Sequence, residues 1–304
     1  MINKELDITS GKIGQRIIAK IKDYIALTKP RVISLLLVVG LSGCFIGAQG
    51  FPGLNVILGV LVGGAFAAGG AGSLNMAYEH KLDRAMGRTK NRPVAENRIS
   101  TLSATIWGVL LNILSFVVLY TLTNIIAALL ALLGTALYFF LYTMILKRRT
   151  SQNIVIGGIA GCMPPLVGYA AGSGTIDLSA AWMFLIVFFW TPPHFWALSL
   201  MIKDDYAKIG IPMLPVVKGE RHTRMNILVY SVILSLFTVA FTFVNQELDL
   251  FYGTTSFLLS LVFIIRAINL GRTQDKTRAL SLYKYSILYL ALIFIFAVVD
   301  TVVL

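Results

Sequence analysis

Two long stretches of the chain contain no Asp, Glu, Lys or Arg, and they constrain the fold more than any other feature. They cover residues 32–78 and 99–146. Because about 20 apolar residues are enough to cross a bilayer, each stretch is long enough for two crossings. Turn-forming residues divide the first stretch at residues 49–53 and the second at residues 121–124. Each stretch therefore predicts a helical hairpin in a membrane.

Five further stretches without charge follow, and each has room for a single crossing. They cover residues 150–176, 178–202, 225–246, 250–265 and 285–299. Only 13% of the residues are charged, about half the share of a soluble domain, which excludes a disordered chain and an ordinary soluble enzyme. The sequence therefore predicts an all-α polytopic membrane protein, a bundle of nine transmembrane helices.

The charged residues indicate how these helices are oriented. All 26 Lys and Arg residues fall in the N-terminal segment and in alternate loops. The other loops and the last helix end carry only acids, namely Asp177, Glu247, Asp249 and Asp300. By the positive-inside rule, the N-terminus and the basic loops are cytoplasmic, in a multi-pass protein of the plasma membrane. The net charge of +12 is therefore explained by topology and does not indicate a nucleic-acid partner.

The first 31 residues form a separate part of the prediction. Isoleucines recur at helical spacing from Ile13 to Ile25, among Lys12, Arg16 and Lys20. This pattern is typical of an amphipathic helix lying on the inner leaflet, and it lacks the apolar core of a signal peptide. We therefore predict a cytoplasmic amphipathic segment over 1–31 and a single transmembrane domain over 32–304.

One basic loop begins with regularly spaced oxygen-bearing side chains. Asn75, Glu79 and Asp83 are four residues apart, so a helix places all three on one face. A basic group of three residues follows directly: Arg88, Lys90 and Arg92. Acidic side chains next to basic ones are economically explained by Mg²⁺ bridging carboxylates to a phosphorylated substrate. This predicts an active-site cleft at the cytoplasmic end of the bundle.

A second basic loop repeats this chemistry at the end of the sixth predicted helix. It contains Lys203, Asp204, Asp205, Tyr206 and Lys208, followed by an apolar, proline-containing segment over 211–215. Either loop alone is also compatible with ordinary surface ion pairs. Two matched acidic and basic loops on one face favour a metal and phosphate site.

Several longer strings in these regions match a known family. The motif N-D-x-x-D-x-x-x-D is matched by Asn75, Glu79 and Asp83. Further strings are M-x-R-T-x-x-R-P at 86–93, Y-T-x-x-L-K-R at 142–148, N-I-V-I-G-G-x-A-G at 153–161, W-T-P-P-H-F-W at 190–196 and D-Y-x-x-x-G-I-P-M-L-P-V-V at 205–217. The chain resembles the intramembrane aromatic prenyltransferase superfamily, and within it the branch that acts on protohaem.

The resemblance implies an enzyme with a defined donor and acceptor. A farnesyl group would pass from farnesyl diphosphate to a vinyl group of protohaem IX (haem B), and water would complete the hydroxyethylfarnesyl side chain of haem O. Asn75, Glu79, Asp83 and Asp205 would be catalytic, with Mg²⁺ on Glu79, Asp83, Asp204 and Asp205. Substrate binding is implied for Arg88, Lys90, Arg92, Lys147, Arg148, Lys203 and Tyr206, and His194 would face the porphyrin. The implied partners are the lipid bilayer and a haem A synthase or terminal-oxidase assembly factor.

Three departures from the superfamily pattern bear on the metal site. Residue 76 is Met in place of Asp, residue 79 is Glu in place of Asp, and the second motif has only Asp204 and Asp205. Two alternatives stay open at this point: a quinone-precursor ring as acceptor, or a transporter or haem permease. Transporters place ionisable residues near the membrane midplane. The acids of this chain fall at helix ends, which favours an enzyme.

Overall fold

The computed structural model describes residues 2–272 and 275–303, with side chains from residue 14 onward. Within these ranges, nine helical segments are long and apolar enough to cross a membrane, as the sequence predicts. They are Pro30–Ala48, Leu54–Ala85, Thr101–Leu122, Ile125–Leu146, Asn153–Ser173, Leu178–Met201, Glu220–Phe243, Leu250–Arg272 and Lys276–Val303. The predicted fold class, an all-α bundle with nine spans, is confirmed.

Three of these spans change helix type along their length, and three further helices lie outside them. In chain order the α-helices are α1 (Ile2–Leu27), α2 (Pro30–Ala48), α3 (Leu54–Ala85), α4 (Thr101–Leu122), α5 (Ile125–Ala136), α6 (Asn153–Gly157), α7 (Met163–Ser173), α8 (Leu178–Met201), α9 (Lys203–Lys208), α10 (Leu214–Val217), α11 (Glu220–Ala240), α12 (Leu250–Arg272) and α13 (Lys276–Val303). A π-helix over Leu137–Leu146 continues α5, and 3₁₀ turns over Gly158–Cys162 and Phe241–Phe243 join α6 to α7 and extend α11.

Both predicted hairpins turn where the sequence indicates. Gln49 ends α2 in the left-handed region with φ of 50°, and its backbone N–H donates to the carbonyl of Ile46. Asn124 caps α5, because its side-chain oxygen accepts from the backbone N–H of Ala127 at 3.0 Å. The last two spans are longer than the charge-free stretches, since α12 continues past Arg266 to Arg272 and α13 begins at Lys276, before Lys284.

Glycines bring α2 and α7 into direct backbone contact. A Cβ atom added at Gly168 would lie 1.7 Å from the carbonyl oxygen of Gly40, and one at Gly172 would lie 2.2 Å from that of Cys44. Any side chain at these positions would force the helices apart. Close approach through small residues is the usual way in which membrane helices pack. This contact fixes the position of α2, and therefore also the position of Lys29, which directly precedes α2.

Helix α1 has an exposed apolar side and an anchored end. Ile17, Ile18, Ile21 and Ile25 are each 53–56% exposed, while Tyr24 packs edge-on against Trp107 of α4 with ring centroids 5.4 Å apart. The side chains of Lys12 and Ile13 lie outside the described part of the structure. The placement of residues 1–31 on the inner leaflet stays a prediction.

The helix termini gather the basic residues at one end of the bundle, called the basic end below. Here α2, α4, α6, α11 and α13 begin, and α3, α8 and α12 end. Side chains from different helices meet there, as in the contact between Lys203 of α9 and Glu220 of α11 at 3.4 Å. The acidic residues of both predicted loops therefore lie at this end.

Candidate functional site

One face of α3 carries three buried polar side chains at the basic end. Asn75, Glu79 and Asp83 are 3%, 2% and 3% exposed, respectively. Their spacing of four residues aligns them along the helix, as the sequence predicts. Charged side chains are almost never this deeply buried unless they are paired. Their partners therefore define the site.

Each of these three side chains is held by its own cation. Both carboxylate oxygens of Glu79 accept from Lys147 Nζ at 2.6 Å, and both oxygens of Asp83 accept from Arg92 Nη1 at 2.9 Å. Asn75 Oδ1 accepts from Lys29 Nζ at 2.7 Å. We call these six residues the ion-pair cluster. It joins the start of α2, the end of α3 and the end of the π-helix.

Asn75 also connects the cluster internally. Its Nδ2 donates to Glu79 Oε2 at 2.9 Å and to the hydroxyl of Thr143 at 3.2 Å. With Oδ1 accepting from Lys29, both ends of the amide are engaged, which fixes its orientation. An Asp at this position would lack the donor that binds Glu79.

The π-helix brings Lys147 to Glu79. The backbone N–H of Lys147 donates to the carbonyl of Tyr142, five residues earlier, and Thr143 Oγ1 donates to the carbonyl of Tyr138 at 2.9 Å. Asn153 Nδ2 donates to the carbonyl of Lys147 at 3.3 Å and ties it to the start of α6. Wide turns of this kind are rare and occur often at functional sites.

Lys29 is a site residue that sequence reasoning missed, because its charge was explained by topology alone. It adopts a left-handed backbone conformation with φ of 56° and ψ of 58°. The pKa of Lys29 is lowered from 10.5 to about 7, chiefly by burial and in addition by the charges of Arg92 and Lys147, while the charges of Glu79 and Asp83 act in the opposite direction. A non-glycine residue in this conformation is uncommon. The sequence signal that singles out Lys29 is a Lys directly before the Pro that begins a membrane helix.

A compact loop after α3 turns Arg92 back toward Asp83. Thr89 Oγ1 donates to the backbone carbonyl of Asp83 at 3.1 Å, and Arg84 Nε donates to the carbonyl of Ala95 at 2.7 Å. These bonds fold the loop over the end of the helix. Lys90 of the same loop is exposed and does not belong to the cluster.

The second predicted loop contributes Tyr206 most clearly. Tyr206 is 3% exposed and packs in one apolar cluster with Met86, Ile154, Ile211 and Met213. Burial raises the pKa of Tyr206, and the neighbouring charge of Arg88 opposes that rise. Arg88 and Tyr206 therefore lie side by side. The apolar segment after α9 packs inward next to the ion-pair cluster.

Other predicted residues lie outside the ion-pair cluster. Lys203 pairs with Glu220 at 3.4 Å, Asp204 is exposed, and Asp205 is half-buried. Arg148 lies over the ring of Tyr78, 5.6 Å from its centroid, on an exposed side of α3. In the described ranges no three His, Cys, Asp or Glu side chains form a metal-binding group. The predicted roles of these residues stay predictions.

His194 lies apart from the cluster, in the interior of α8. Its ring stacks between Trp190 and Tyr283, with centroids 4.3 and 4.8 Å away. Its Nδ1 lies 2.7 Å from Ser286 Oγ, and the same hydroxyl donates to the carbonyl of Tyr283 at 2.7 Å. A hydroxyl has one proton, so Ser286 accepts from an Nδ1–H of His194. This leaves the lone pair of the imidazole on Nε2.

The fold is that of intramembrane prenyltransferases. A digeranylgeranylglyceryl phosphate synthase is similar to this chain with a TM-score of 0.77 and 18% identity, covering 93% of this chain and 99% of that one. A UbiA homolog from Archaeoglobus fulgidus, solved with GPP and Mg²⁺, is similar with a TM-score of 0.67 and 14% identity, covering 90% and 99%. The UbiA prenyltransferase family matches residues 36–295, and the chain belongs to that family.

Two curated relatives of this chain carry the same name. A protoheme IX farnesyltransferase of Thermus thermophilus is 48% identical over 93% of this chain, and that of Picosynechococcus is 44% identical over 93%. The chain spans about half the length of the first of these relatives, 46%, and 90% of the second.

Proposed function

We propose that this membrane protein transfers the farnesyl group of farnesyl diphosphate to a vinyl group of haem B, producing haem O. The relatives named protoheme IX farnesyltransferase support the acceptor and the donor. The observation that carries the diphosphate half of the proposal is the ion-pair cluster, in which buried carboxylates and several cations meet at one end of the bundle. No observation favours a quinone-precursor ring or a transported solute.

The donor set of the cluster fits Mg²⁺. Asn75, Glu79 and Asp83 present only oxygen ligands, which hard cations prefer, and Mg²⁺ is usually bound by one or two carboxylates together with substrate phosphates. These three residues would hold the ion. When bound, it would supply a positive charge next to the departing diphosphate. Because Glu79 and Asp83 supply only two carboxylates, Mg²⁺ would need oxygens of the diphosphate to complete its set of ligands, and it would therefore bind together with the substrate.

The cations of the cluster have a direct role in the proposed reaction. Arg92 and Lys147 balance the carboxylates of Glu79 and Asp83, and Arg88 together with the protonated form of Lys29 adds positive charge for an anionic substrate. The C–O bond of farnesyl diphosphate breaks, and its electron pair leaves on the diphosphate. Charged donors aimed at those oxygens stabilise the developing negative charge. Tyr206 and the segment over 211–213 limit access of bulk water to the allylic cation.

The acceptor completes the electron balance. The π electrons of the haem vinyl group form the new C–C bond to the farnesyl carbon, which leaves a cation next to the porphyrin ring. A water molecule adds its oxygen to that carbon and loses a proton. The product is the hydroxyethylfarnesyl side chain.

We propose that His194 faces the porphyrin and binds its iron through Nε2. The hydrogen bond of Nδ1 to Ser286 supports this, because iron-binding imidazoles usually donate their other N–H to a fixed acceptor. His194→Ala should weaken haem binding and leave diphosphate binding nearly unchanged. Ser286→Ala should shift the haem absorption spectrum with a smaller loss of affinity. An unchanged haem affinity and spectrum in folded His194→Ala protein would contradict this role.

The orientation of the bundle is also a proposal. The one-sided distribution of Lys and Arg supports a cytoplasmic basic end and active site, in the plasma membrane, with haem O passed to a haem A synthase or terminal-oxidase assembly factor. Reporter fusions after Gln49, Gly174 and Gln246 should be extracytoplasmic, and fusions after Thr150 and Lys218 cytoplasmic. A cytoplasmic reporter at Gly174 would overturn this orientation.

The test of the function is direct product analysis. The chain is expressed in a host that lacks haem O, and the haems are extracted and analysed by mass spectrometry. We expect haem O with the intact chain and about 100-fold less or lower with Asp83→Asn. A prenylated quinone precursor without haem O would contradict the proposed acceptor.

A further inference from the structure

A second basic feature lies between α11 and α12, and none of its residues belongs to the ion-pair cluster. It is a cleft of about 480 Å³ at the basic end. Three arginines, Arg221, Arg224 and Arg272, line it together with the apolar side chains of Met225, Leu228 and Ile268. We call it the arginine cleft. The proposed prenyl transfer gives these arginines no role.

Arg224 is the buried member of this group. It is 8% exposed, and its Nη1 donates to Glu220 Oε2 at 3.2 Å. Glu220 also accepts from Lys203 at 3.4 Å, so one carboxylate is shared by two cations. A guanidinium has five donors in a planar fork that matches carboxylate and phosphate oxygens. Glu220 alone therefore leaves part of that fork available.

The other two arginines of the cleft bring positive charge without a paired acidic residue. Arg221 and Arg272 are both exposed, and among the described residues neither forms a salt bridge. Like charges at close range repel each other unless an anion lies between them. Three arginines around one cleft, with one shared carboxylate, therefore form a site of positive potential.

The cleft continues into an apolar surface. Along α11, Met225 is 61% exposed, Val229 is 47% exposed and Leu236 is 66% exposed. At 1.5 Å per residue, the axis from Arg224 to Leu236 is about 18 Å long. This compares with about 15 Å for half of the hydrocarbon core of a bilayer. The surface has the length of one lipid acyl chain.

We propose that the arginine cleft binds an anionic phospholipid of the adjoining leaflet. The phosphate lies among Arg221, Arg224 and Arg272, and one acyl chain lies along Met225 and Leu228. Charge complementarity identifies the head group, and the apolar continuation identifies the tail. Basic pockets between transmembrane helices are known to bind such head groups. The inference is independent of the proposed prenyl transfer, since it uses a different part of the bundle.

The test compares lipids on the full chain in detergent micelles after removal of endogenous lipid. Phosphatidylglycerol is titrated in one arm, phosphatidylcholine in a second, and inorganic phosphate in a third. Binding is followed by native mass spectrometry and by the midpoint of thermal unfolding. We expect phosphatidylglycerol to bind more tightly than phosphatidylcholine and to raise the midpoint, and we expect inorganic phosphate to have no comparable effect.

Three variants assign the binding to the cleft. Arg224→Gln should weaken phosphatidylglycerol binding about tenfold or more, the loss expected for a charge-assisted hydrogen bond. The double variant Arg221→Gln and Arg272→Gln changes only exposed side chains, so it tests the site even where Arg224→Gln fails to fold. The matched control is Arg149→Gln, an exposed arginine elsewhere at the basic end.

Three results with the lipids and the double variant would overturn the inference, and a fourth concerns the control. They are equal binding of both phospholipids, equal protection by inorganic phosphate, or a double variant that binds phosphatidylglycerol as tightly as the unmodified chain. Loss of binding in Arg149→Gln to the same extent would also contradict it, because the effect would then be one of total charge.

Discussion

The pair formed by Lys147 and Glu79 makes a quantitative prediction about stability. Glu79 is 2% exposed at its side chain, Lys147 is 16% exposed, and Nζ is 2.6 Å from a carboxylate oxygen. Removing the lysine, as in Lys147→Met, leaves the Glu79 carboxylate buried without its main counterion. Breaking a buried ion pair in this way costs about 3–5 kcal/mol. That corresponds to an increase of roughly two to three and a half powers of ten in the unfolding equilibrium constant.

The partner variant should cost less, and the two costs should not add. In Glu79→Gln the side chain keeps a carbonyl oxygen that accepts from Lys147, so the remaining group is still hydrogen-bonded. The double variant contains no unpaired buried charge, and we expect it to be more stable than Lys147→Met alone. The interaction free energy from the double-mutant cycle should therefore exceed about 1.5 kcal/mol, within the range measured for coupled neighbours.

An exposed pair in the same region provides the control. Glu96 and Arg98 lie 2.8 Å apart with side chains that are 43% and 42% exposed. Pairs of this kind contribute about 0–1 kcal/mol, so Glu96→Gln should be nearly silent. The free energy of unfolding is measured by denaturant titration in micelles for all variants. A cost below about 1 kcal/mol for Lys147→Met, or one equal to that of Glu96→Gln, would refute the argument from burial.

Three further predictions follow from other contacts. Asp83→Asn should lower haem O formation per folded protein about 100- to 1,000-fold, the loss expected for a group that stabilises transition-state charge; Asp249→Asn at the opposite end should have no effect on the same assay. Burial is the main cause that lowers the pKa of Lys29 from 10.5 to about 7, so the unfolded chain binds more protons than the folded chain between these pH values. The free energy of unfolding should therefore rise with pH there by up to about 1.4 kcal/mol per pH unit. In Lys29→Met, unfolding midpoints measured across this pH range should lose that contribution. Gly168→Ala should destabilise the protein by about 1–3 kcal/mol or more through overpacking, whereas Gly14→Ala, where a Cβ meets nothing within 4 Å, should not lower the melting temperature.

Much of this architecture could be predicted from the sequence because the membrane imposes simple rules. Charge-free stretches give the spans, and the turn residues at 49–53 and 121–124 give the hairpins. The alignment of Asn75, Glu79 and Asp83 follows from helical spacing alone. Their burial does not, since it depends on which helices pack against that face of α3.

The counterions were harder to predict for a physical reason. Lys29 and Lys147 are far from α3 in sequence, and a basic residue near a helix end is fully explained by membrane topology. Lys147 and Arg148 are neighbours with the same charge, yet the first reaches Glu79 and the second lies over Tyr78. The two side chains point in different directions only because of the backbone geometry of the preceding turn. No pattern of residue types distinguishes the two.

The π-helix over Leu137–Leu146 makes this span unusually sensitive to its own length. Each residue of an α-helix turns the chain by about 100°. Deleting a single residue before Lys147 would rotate the lysine away from Glu79, although the segment would keep its hydropathy and would still cross the membrane. Single insertions or deletions in this span should therefore be rare among relatives. The positions of gaps in an alignment of relatives would therefore locate the end of this helix that carries Lys147.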